Sequence, residues 1–212
     1  MKLVTAGGLL TGARGERVED AALIVDGTMI AYAGSAAGVP SALADTVTDV
    51  TALGPAVTLL PGLIDSHVHL GFDGGPNPVA RMKSQSDAEL LVLMLHSARR
   101  LLSVGVTTAR DLGARSFLDV VVRDAIATGM ARGPGLITAG PPLTVTGGHC
   151  WFMGGECDDD TDVRRRVRLH HKMGVDLIKV MSTGGFMTTG SAPWYAQFTD
   201  EQLVAIDSRP PT

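Results

Sequence analysis

The sequence predicts an α/β fold in which a β-rich leader, residues 1–58, precedes about four βα units of a (β/α)8 TIM barrel, residues 59–212. From residue 56 onward, short apolar runs that end in Gly or polar residues alternate with stretches of helical spacing, the pattern of alternating strands and helices. A complete eight-unit barrel takes about 250 residues. The second segment therefore corresponds to about half a barrel, a partial barrel.

The leader is predicted to be β-rich because it contains a hairpin signal. The apolar run Ala21–Val25 is followed by Asp26-Gly27 and then by a second apolar run. Asp-Gly favours the primed turns of β-hairpins, whose central positions need positive φ. Residues 34–44 are predicted as a loop of small residues and 47–57 as further extended chain, with no amphipathic helix in the segment.

The four βα units follow in order. The predicted strands cover residues 56–70, 105–112, 135–140 and 175–185, and the predicted helices begin near Ser86, Ser116, Thr161 and Thr199. Two of these starts carry a capping box, Ser86 with Glu89 and Thr199 with Gln202. Gly174 is the predicted end of the third helix.

Charge and composition argue against two classes of partner. With 18 basic and 22 acidic residues the formal net charge is -4, so we expect neither nucleic acid nor a membrane surface as partner. The longest uncharged stretches, residues 28–44 and 180–199, are interrupted by Gly, Ser, Thr and Pro and predict no transmembrane helix. Without a recognisable secretory signal, a cytoplasmic protein with reduced Cys150 and Cys157 is expected.

The sharpest chemical signal is the pair His67 and His69 at the end of the first predicted barrel strand. Side chains at positions i and i+2 of a strand point to one side, and the carboxyl ends of barrel strands carry active sites. Two neutral imidazoles there would make half of a divalent-metal site. By spacing alone, a pair of solvated or hydrogen-bonded histidines is an equally good interpretation.

Residues 61–70, PGLIDSHVHL, resemble the first-strand signature of the amidohydrolase superfamily. Residues 105–113, 146–150 and 176–185 have the order and spacing of its branch of imidazolonepropionase-like enzymes and Xaa-Pro dipeptidases. The resemblance covers residues 1–206. It implies a metal-dependent hydrolase of amide or peptide C–N bonds, with a TIM barrel and with the leader as part of a small β-sandwich.

The resemblance also implies a site. His67 and His69 would bind the more buried of two divalent ions, most simply Zn²⁺, and Lys179 would react with carbon dioxide to give a carbamate that bridges both ions. His149, in the glycine-rich loop after the third strand, would contact a small-molecule amide or dipeptide substrate. Cys150 departs from the family's usual GGHG pattern, which has glycine at that position.

Other ligands of the family have no counterpart in this sequence. Its histidines at strands five and six and its catalytic aspartate after strand eight would lie beyond residue 212, so an incomplete and inactive hydrolase is expected. The alternative is a catalytically dead truncated remnant without enzymatic function.

A half-barrel leaves a sheet edge unpaired, and two copies of the chain would be able to form a homo-oligomer through it.

Other polar residues are assigned less specific roles. Arg110 and Asp111, at the end of the second strand, either line the pocket or pair with each other, and pairing is the favoured interpretation. His96, His170 and His171 fall within predicted helices, where we expect them at the surface or in helix packing.

Overall fold

A computed structural model describes residues 1–12 and 15–207. The chain divides into two compact units, Met1–Gly62 and a second that begins at Leu63. The first unit contains a five-stranded sheet and the second a three-stranded sheet with helices, so the predicted mixed α/β class is confirmed. Among the helices described, none has both the length and the apolar character needed to cross a bilayer.

The first unit is built around its first strand. Its strands are β1 Lys2–Leu10, β2 Arg17–Asp26, β3 Met29–Ser35, β4 Asp49–Ala52 and β5 Thr58–Leu59. The order is β3-β2-β1-β4; the β1–β2 and β2–β3 pairs are antiparallel, whereas β4 and β5 run parallel to β1. The predicted hairpin is confirmed, but its turn is shifted by one residue: Asp26 pairs with Met29, so Gly27 and Thr28 are central, and of these Gly27 has the positive φ, 58°.

Two details of the leader differ from the prediction. Residues 34–44 contain a 3-10 helix, Ala36–Gly38, and one helical turn, α1 Ser41–Ala44, instead of a loop alone. The predicted strand 56–70 is divided, because β5 joins the first sheet whereas β6, Leu63–Val68, joins the second. Pro61, which lies between them, has no N–H for a sheet ladder.

The second unit has a parallel sheet in the order β6-β7-β8, with β7 at Val106–Asp111 and β8 at Gly135–Thr138. Its helices are α2 Pro78–Ser84, α3 Asp87–Ser103, α4 Leu118–Ala127, α5 Asp160–Met173 and α6 Asp200–Asp207, with 3-10 helices at Arg115–Phe117 and Trp151–Met153. The capping boxes predicted at Ser86 and Thr199 are both present. Gly174 ends α5 in the left-handed conformation, as predicted.

The core of the second unit lies between the sheet and its helices. Leu90, Met94 and Ala98 recur every four residues along α3 and form one apolar stripe. They belong to a single buried cluster with Ala109 of β7 and Leu136 of β8. This packing fixes the strands whose carboxyl ends carry the candidate site.

The predicted fourth strand, residues 175–185, is wrong as an assignment of regular strand. Along this segment the structure has an isolated parallel bridge between Val180 and Leu143. The N–H of Leu143 donates to the carbonyl of Lys179, and the N–H of Met181 donates to the carbonyl of Leu143, both at 2.8 Å. Two hydrogen bonds, one at Lys179 and one at Met181, therefore hold this segment in place of a continuous ladder.

The cause is the sequence after β8. That strand ends at Thr138, whose carbonyl still accepts the N–H of Asp176 at 2.9 Å. Pro141 and Pro142 follow, and neither has an N–H with which to continue the ladder. The interruption lies in the partner segment that contains Pro141 and Pro142, so the periodicity of residues 175–185 alone does not indicate it.

Candidate metal site

His67 and His69 lie at the carboxyl end of β6, with their imidazole rings side by side. The ring centroids are 5.3 Å apart and the ring planes are inclined by 64°. His67 is exposed and His69 is half-buried. This is the arrangement expected for positions i and i+2 of a strand.

The contacts of His69 define its protonation state. Its Nδ1 lies 3.2 Å from the carbonyl oxygen of Gly113, and since a carbonyl can only accept, Nδ1 carries the proton in this contact. Burial lowers the pKa of His69; the Gly113 contact raises it, and the charges of His67 and Lys179 lower it further. The ring is therefore neutral near pH 7, with the lone pair of Nε2 free to bind a cation.

Lys179 lies in the same neighbourhood. Its side chain is half-buried, and its charge is close enough to contribute to the lowered pKa values of both His69 and His149. Burial raises the pKa of the adjacent Cys150 thiol to about 11, while the charge of Lys179 acts in the opposite direction. The end of β6, the loop after β8 and the segment around Lys179 thus bring His69, His149 and Lys179 into one neighbourhood.

His149 lies in the loop after β8 and is fixed through its backbone. Its N–H donates to Oε1 of Gln197 at 2.7 Å, and its ring fills the space that a side chain at Gly185 would need. Burial, and then the charge of Lys179, lower the pKa of His149. Its Nδ1 is buried and has no hydrogen-bond partner in the part of the chain described.

Gln197 is a residue that the sequence interpretation missed. Besides holding His149, its Nε2 donates to Oγ1 of Thr144 at 3.1 Å and to the carbonyl of Met181. It thereby joins the His149 loop to the segment that carries Lys179. Its position depends on long-range contacts, and no local motif indicates it.

The expected pairing of Arg110 with Asp111 is wrong. Nε of Arg110 donates to the carbonyl of Ser66 at 2.8 Å, whereas Asp111 is completely buried and accepts the N–H groups of Leu70 and Gly113. Successive residues of a strand point to opposite faces, so the two side chains cannot meet. Burial, followed by the charge of nearby Asp119, raises the pKa of Asp111 to about 8.

The helix histidines have the surface and packing roles predicted for them. His96 and His171 are exposed. His170 is completely buried, with its two ring nitrogens each 2.8 Å from a carbonyl oxygen, one of Arg166 and one of Pro141. Its contacts are therefore those of a packing residue.

The donor set limits how a metal could be held. Over residues 1–12 and 15–207, no three His, Cys, Asp or Glu side chains are grouped so that they could share an ion. His67 and His69 supply two nitrogen donors, while the ammonium of Lys179 would repel a cation. A carbamate on Lys179 would instead add an anionic oxygen, so the residues fit a divalent ion when Lys179 is modified.

Comparison with known proteins places these residues within a recognised family. A family model described as the amidohydrolase family matches residues 58–207. Ochratoxinase from Aspergillus niger is 31% identical over 94% of this chain and 46% of its own length. The chain thus spans about half the length of the curated relatives it matches.

Solved structures agree over nearly the whole chain. The crystal structure of A. niger ochratoxinase has a TM-score of 0.83 at 28% identity, covering 97% of this chain and 52% of that one. A Xaa-Pro dipeptidase with methionine bound in its active site has a TM-score of 0.84 at 26% identity, with coverages of 97% and 53%. A putative prolidase from Bifidobacterium longum has a TM-score of 0.72 at 25% identity, with coverages of 96% and 45%.

Proposed function

We propose, from the premise that this chain belongs to the amidohydrolase family, that it contributes a divalent-metal site for the hydrolysis of amide or peptide C–N bonds in small molecules. The family is generally metal-dependent. The observation that carries the proposal is that the His67 and His69 rings lie 5.3 Å from each other, with the charge of Lys179 close enough to lower the pKa of His69.

Each residue has a proposed role. His67 and His69 would hold the ion through neutral nitrogens, and carbamylated Lys179 would supply an anionic oxygen and bridge a second ion. A divalent ion held there, most simply Zn²⁺, would polarise the scissile carbonyl and lower the pKa of a bound water. His149, whose position in the loop after β8 brings it near Lys179, would contact the substrate.

We also propose that the second unit corresponds to the first half of a (β/α)8 barrel and the leader to part of a β-sandwich. The coverage of about half of each relative supports this. Three identified donors are few for a two-ion site, so the 212-residue chain is proposed to be incomplete and inactive by itself. β6 lies at the edge of its sheet, and Ile64 is 74% exposed there, which supports self-association through a sheet edge.

Metal binding tests the proposal most directly. The purified chain is equilibrated with Zn²⁺ and dialysed, and its metal content is measured by plasma mass spectrometry. We expect up to two ions per chain, lost in His67→Ala and in Lys179→Ala and retained in His96→Ala, which removes an exposed helix histidine. Wild-type protein without metal would instead favour the catalytically dead remnant.

The carbamate and the hydrolysis have separate measurements. With ¹³C-labelled bicarbonate, a carbamate carbon resonance is expected in the wild type and not in Lys179→Ala. Relatives named as a dipeptidase and a prolidase make Xaa-Pro dipeptides the first substrates to test, with proline release as the measurement. Turnover that depends on His67 would contradict the proposed inactivity of this chain while supporting the hydrolytic chemistry.

A further inference from the structure

We infer that Asp111 is a positioning residue for His69: its buried carboxyl group holds the backbone that keeps the imidazole in the Nδ1–H form, with Nε2 free for a metal ion. The inference rests on the proposed function, because it concerns the same site. Asp111 itself does not touch the imidazole in any contact that the structure records.

The geometry begins with two hydrogen bonds. Oδ2 of Asp111 accepts the N–H of Leu70, and Oδ1 accepts the N–H of Gly113, both at 3.1 Å. Leu70 directly follows His69, and Gly113 provides the carbonyl that His69 contacts at 3.2 Å. One carboxyl group therefore fixes both the main chain beside the ring and the group that orients the ring.

The contact between Gly113 and His69 is also close in steric terms. A Cβ at Gly113 would lie 3.2 Å from Cε1 and 3.3 Å from Nδ1 of His69, and 3.1 Å from the sulfur of Met153. The ring thus packs against a bare Cα on one side. Its orientation depends on where Asp111 places the Gly113 backbone.

The chemistry follows from donor and acceptor roles. The Gly113 carbonyl can only accept, so it selects the tautomer in which Nδ1 is protonated. Histidine ligands of metals commonly donate their second N–H to such an outer partner, and loss of that partner costs about 10- to 100-fold in metal affinity. Asp111 does not bind the imidazole directly; it holds the peptide units at Leu70 and Gly113, and Gly113 in turn contacts the ring.

A second buried carboxyl group provides a matched control. Asp119 is also completely buried, and its Oδ2 accepts the N–H groups of Ala139 and Gly140, at 3.0 and 2.7 Å, at the end of β8. None of its recorded hydrogen bonds, over the residues described, reaches His69 or Gly113. Replacing it tests what the loss of a buried carboxyl group does in general.

The first test is made without metal. Nitrogen-15 NMR of the imidazoles in the metal-free 212-residue chain at pH about 9, where the Asp111 carboxyl is ionised, reports the tautomer of each histidine. We expect Nδ1–H for His69 in the wild type and in Asp119→Asn, and a mixture of tautomers in Asp111→Asn. The asparagine keeps the volume but replaces one acceptor oxygen with a donor, so it cannot accept both N–H groups.

The second test measures Zn²⁺ affinity by competition with a chromophoric chelator. Asp111→Asn is expected to weaken binding by about 10- to 100-fold and Asp119→Asn by less than about threefold. Gly113→Ala is the second variant, in case Asp111→Asn fails to fold. Its methyl group would displace the ring while Asp111 remains, and it should also weaken binding.

Two results would overturn the inference: an unchanged His69 tautomer in Asp111→Asn, or equal losses of affinity in the two asparagine variants. Restoration of the wild-type tautomer in Asp111→Glu, which regains two acceptor oxygens, would support it. If the wild type binds no Zn²⁺, the proposed function fails, but the tautomer measurement still decides whether Asp111 positions His69.

Discussion

The two units of the chain bury different kinds of side chain. In the first unit the buried hydrophobic residues are few and mostly small, Ala6, Leu9, Ala21, Ala22 and Ile24. Every buried polar or charged residue identified in the described chain lies in the second unit; they are Asp111, Asp119, Thr138, Thr144, His170 and Thr188.

The difference follows from where each unit needs hydrogen-bond partners. In the first unit β1 pairs with β2, β4 and β5, so backbone groups satisfy one another along ladders. In the second unit the parallel strands end in turns whose N–H groups have no ladder partner. Asp111 supplies acceptors at the ends of β6 and β7, and Asp119 supplies one at the end of β8; His69 lies at the end of β6. Buried polarity therefore marks the end of the sheet that carries the candidate site.

The largest expected effect is a dependence of the second unit's stability on pH. The pKa of Asp111 is raised from 3.8 to about 8, so between these values the folded state binds the proton and the unfolded state does not. The free energy of unfolding should fall as pH rises through this window, by about 6 kcal/mol at most. Asp111→Asn should reduce that slope, and Asp119, whose pKa burial also raises, should account for what remains.

Tryptophan fluorescence in urea measures this effect selectively, because both tryptophans, Trp151 and Trp194, belong to the second unit. Hydrogen exchange at β2 amides follows the first unit, where no such slope is expected. An equal slope in the wild type and in Asp111→Asn would remove the distinction between the two units.

The second effect concerns the buried imidazole of His170. His170→Ala should lower the free energy of unfolding by about 3 kcal/mol, because it opens a cavity beside Phe117 and removes the imidazole contacts of the buried Pro141 carbonyl and the part-buried Arg166 carbonyl. The exposed neighbour His171 provides the control, and His171→Ala should change stability by less than about 0.5 kcal/mol. If both variants lowered the free energy of unfolding by similarly small amounts, the buried imidazole of His170 would not stabilise the second unit as described.

The smallest effect tests the first unit, where backbone geometry is expected to dominate. Gly27 has φ of 58° and open space around its Cα, so Gly27→Ala should cost about 1 kcal/mol through the left-handed backbone alone. Gly27→Asn should cost less, because asparagine tolerates this conformation. Circular dichroism during thermal unfolding measures both variants, and a larger loss in the asparagine variant would refute this explanation.

The features that were predicted correctly are those with short-range causes. The Ser86–Glu89 capping box and the glycine at the end of α5 depend on residues within one or two turns. The hairpin at Asp26-Gly27 is equally local, and so is the adjacency of the His67 and His69 rings. In each case neighbouring residues determine the backbone.

The features that were missed depend on distant segments. Residues 175–185 have the composition of a strand, but Pro141 and Pro142 interrupt the ladder that they would have joined. The role of Asp111 depends on the peptide of Leu70, which belongs to the preceding strand end. Helix α2 is an exception, because Pro78 at its first turn was a local signal that was overlooked.

The bare Cα of Gly185 has a consequence for engineering this pocket. The imidazole of His149 occupies the volume that even a methyl group at position 185 would require. The side chains at positions 149 and 185 therefore compete for the same space. A mutant library that introduces a larger side chain at one position must introduce a smaller one at the other. Related sequences that carry a bulkier residue at the second position should be found with a smaller one at the first.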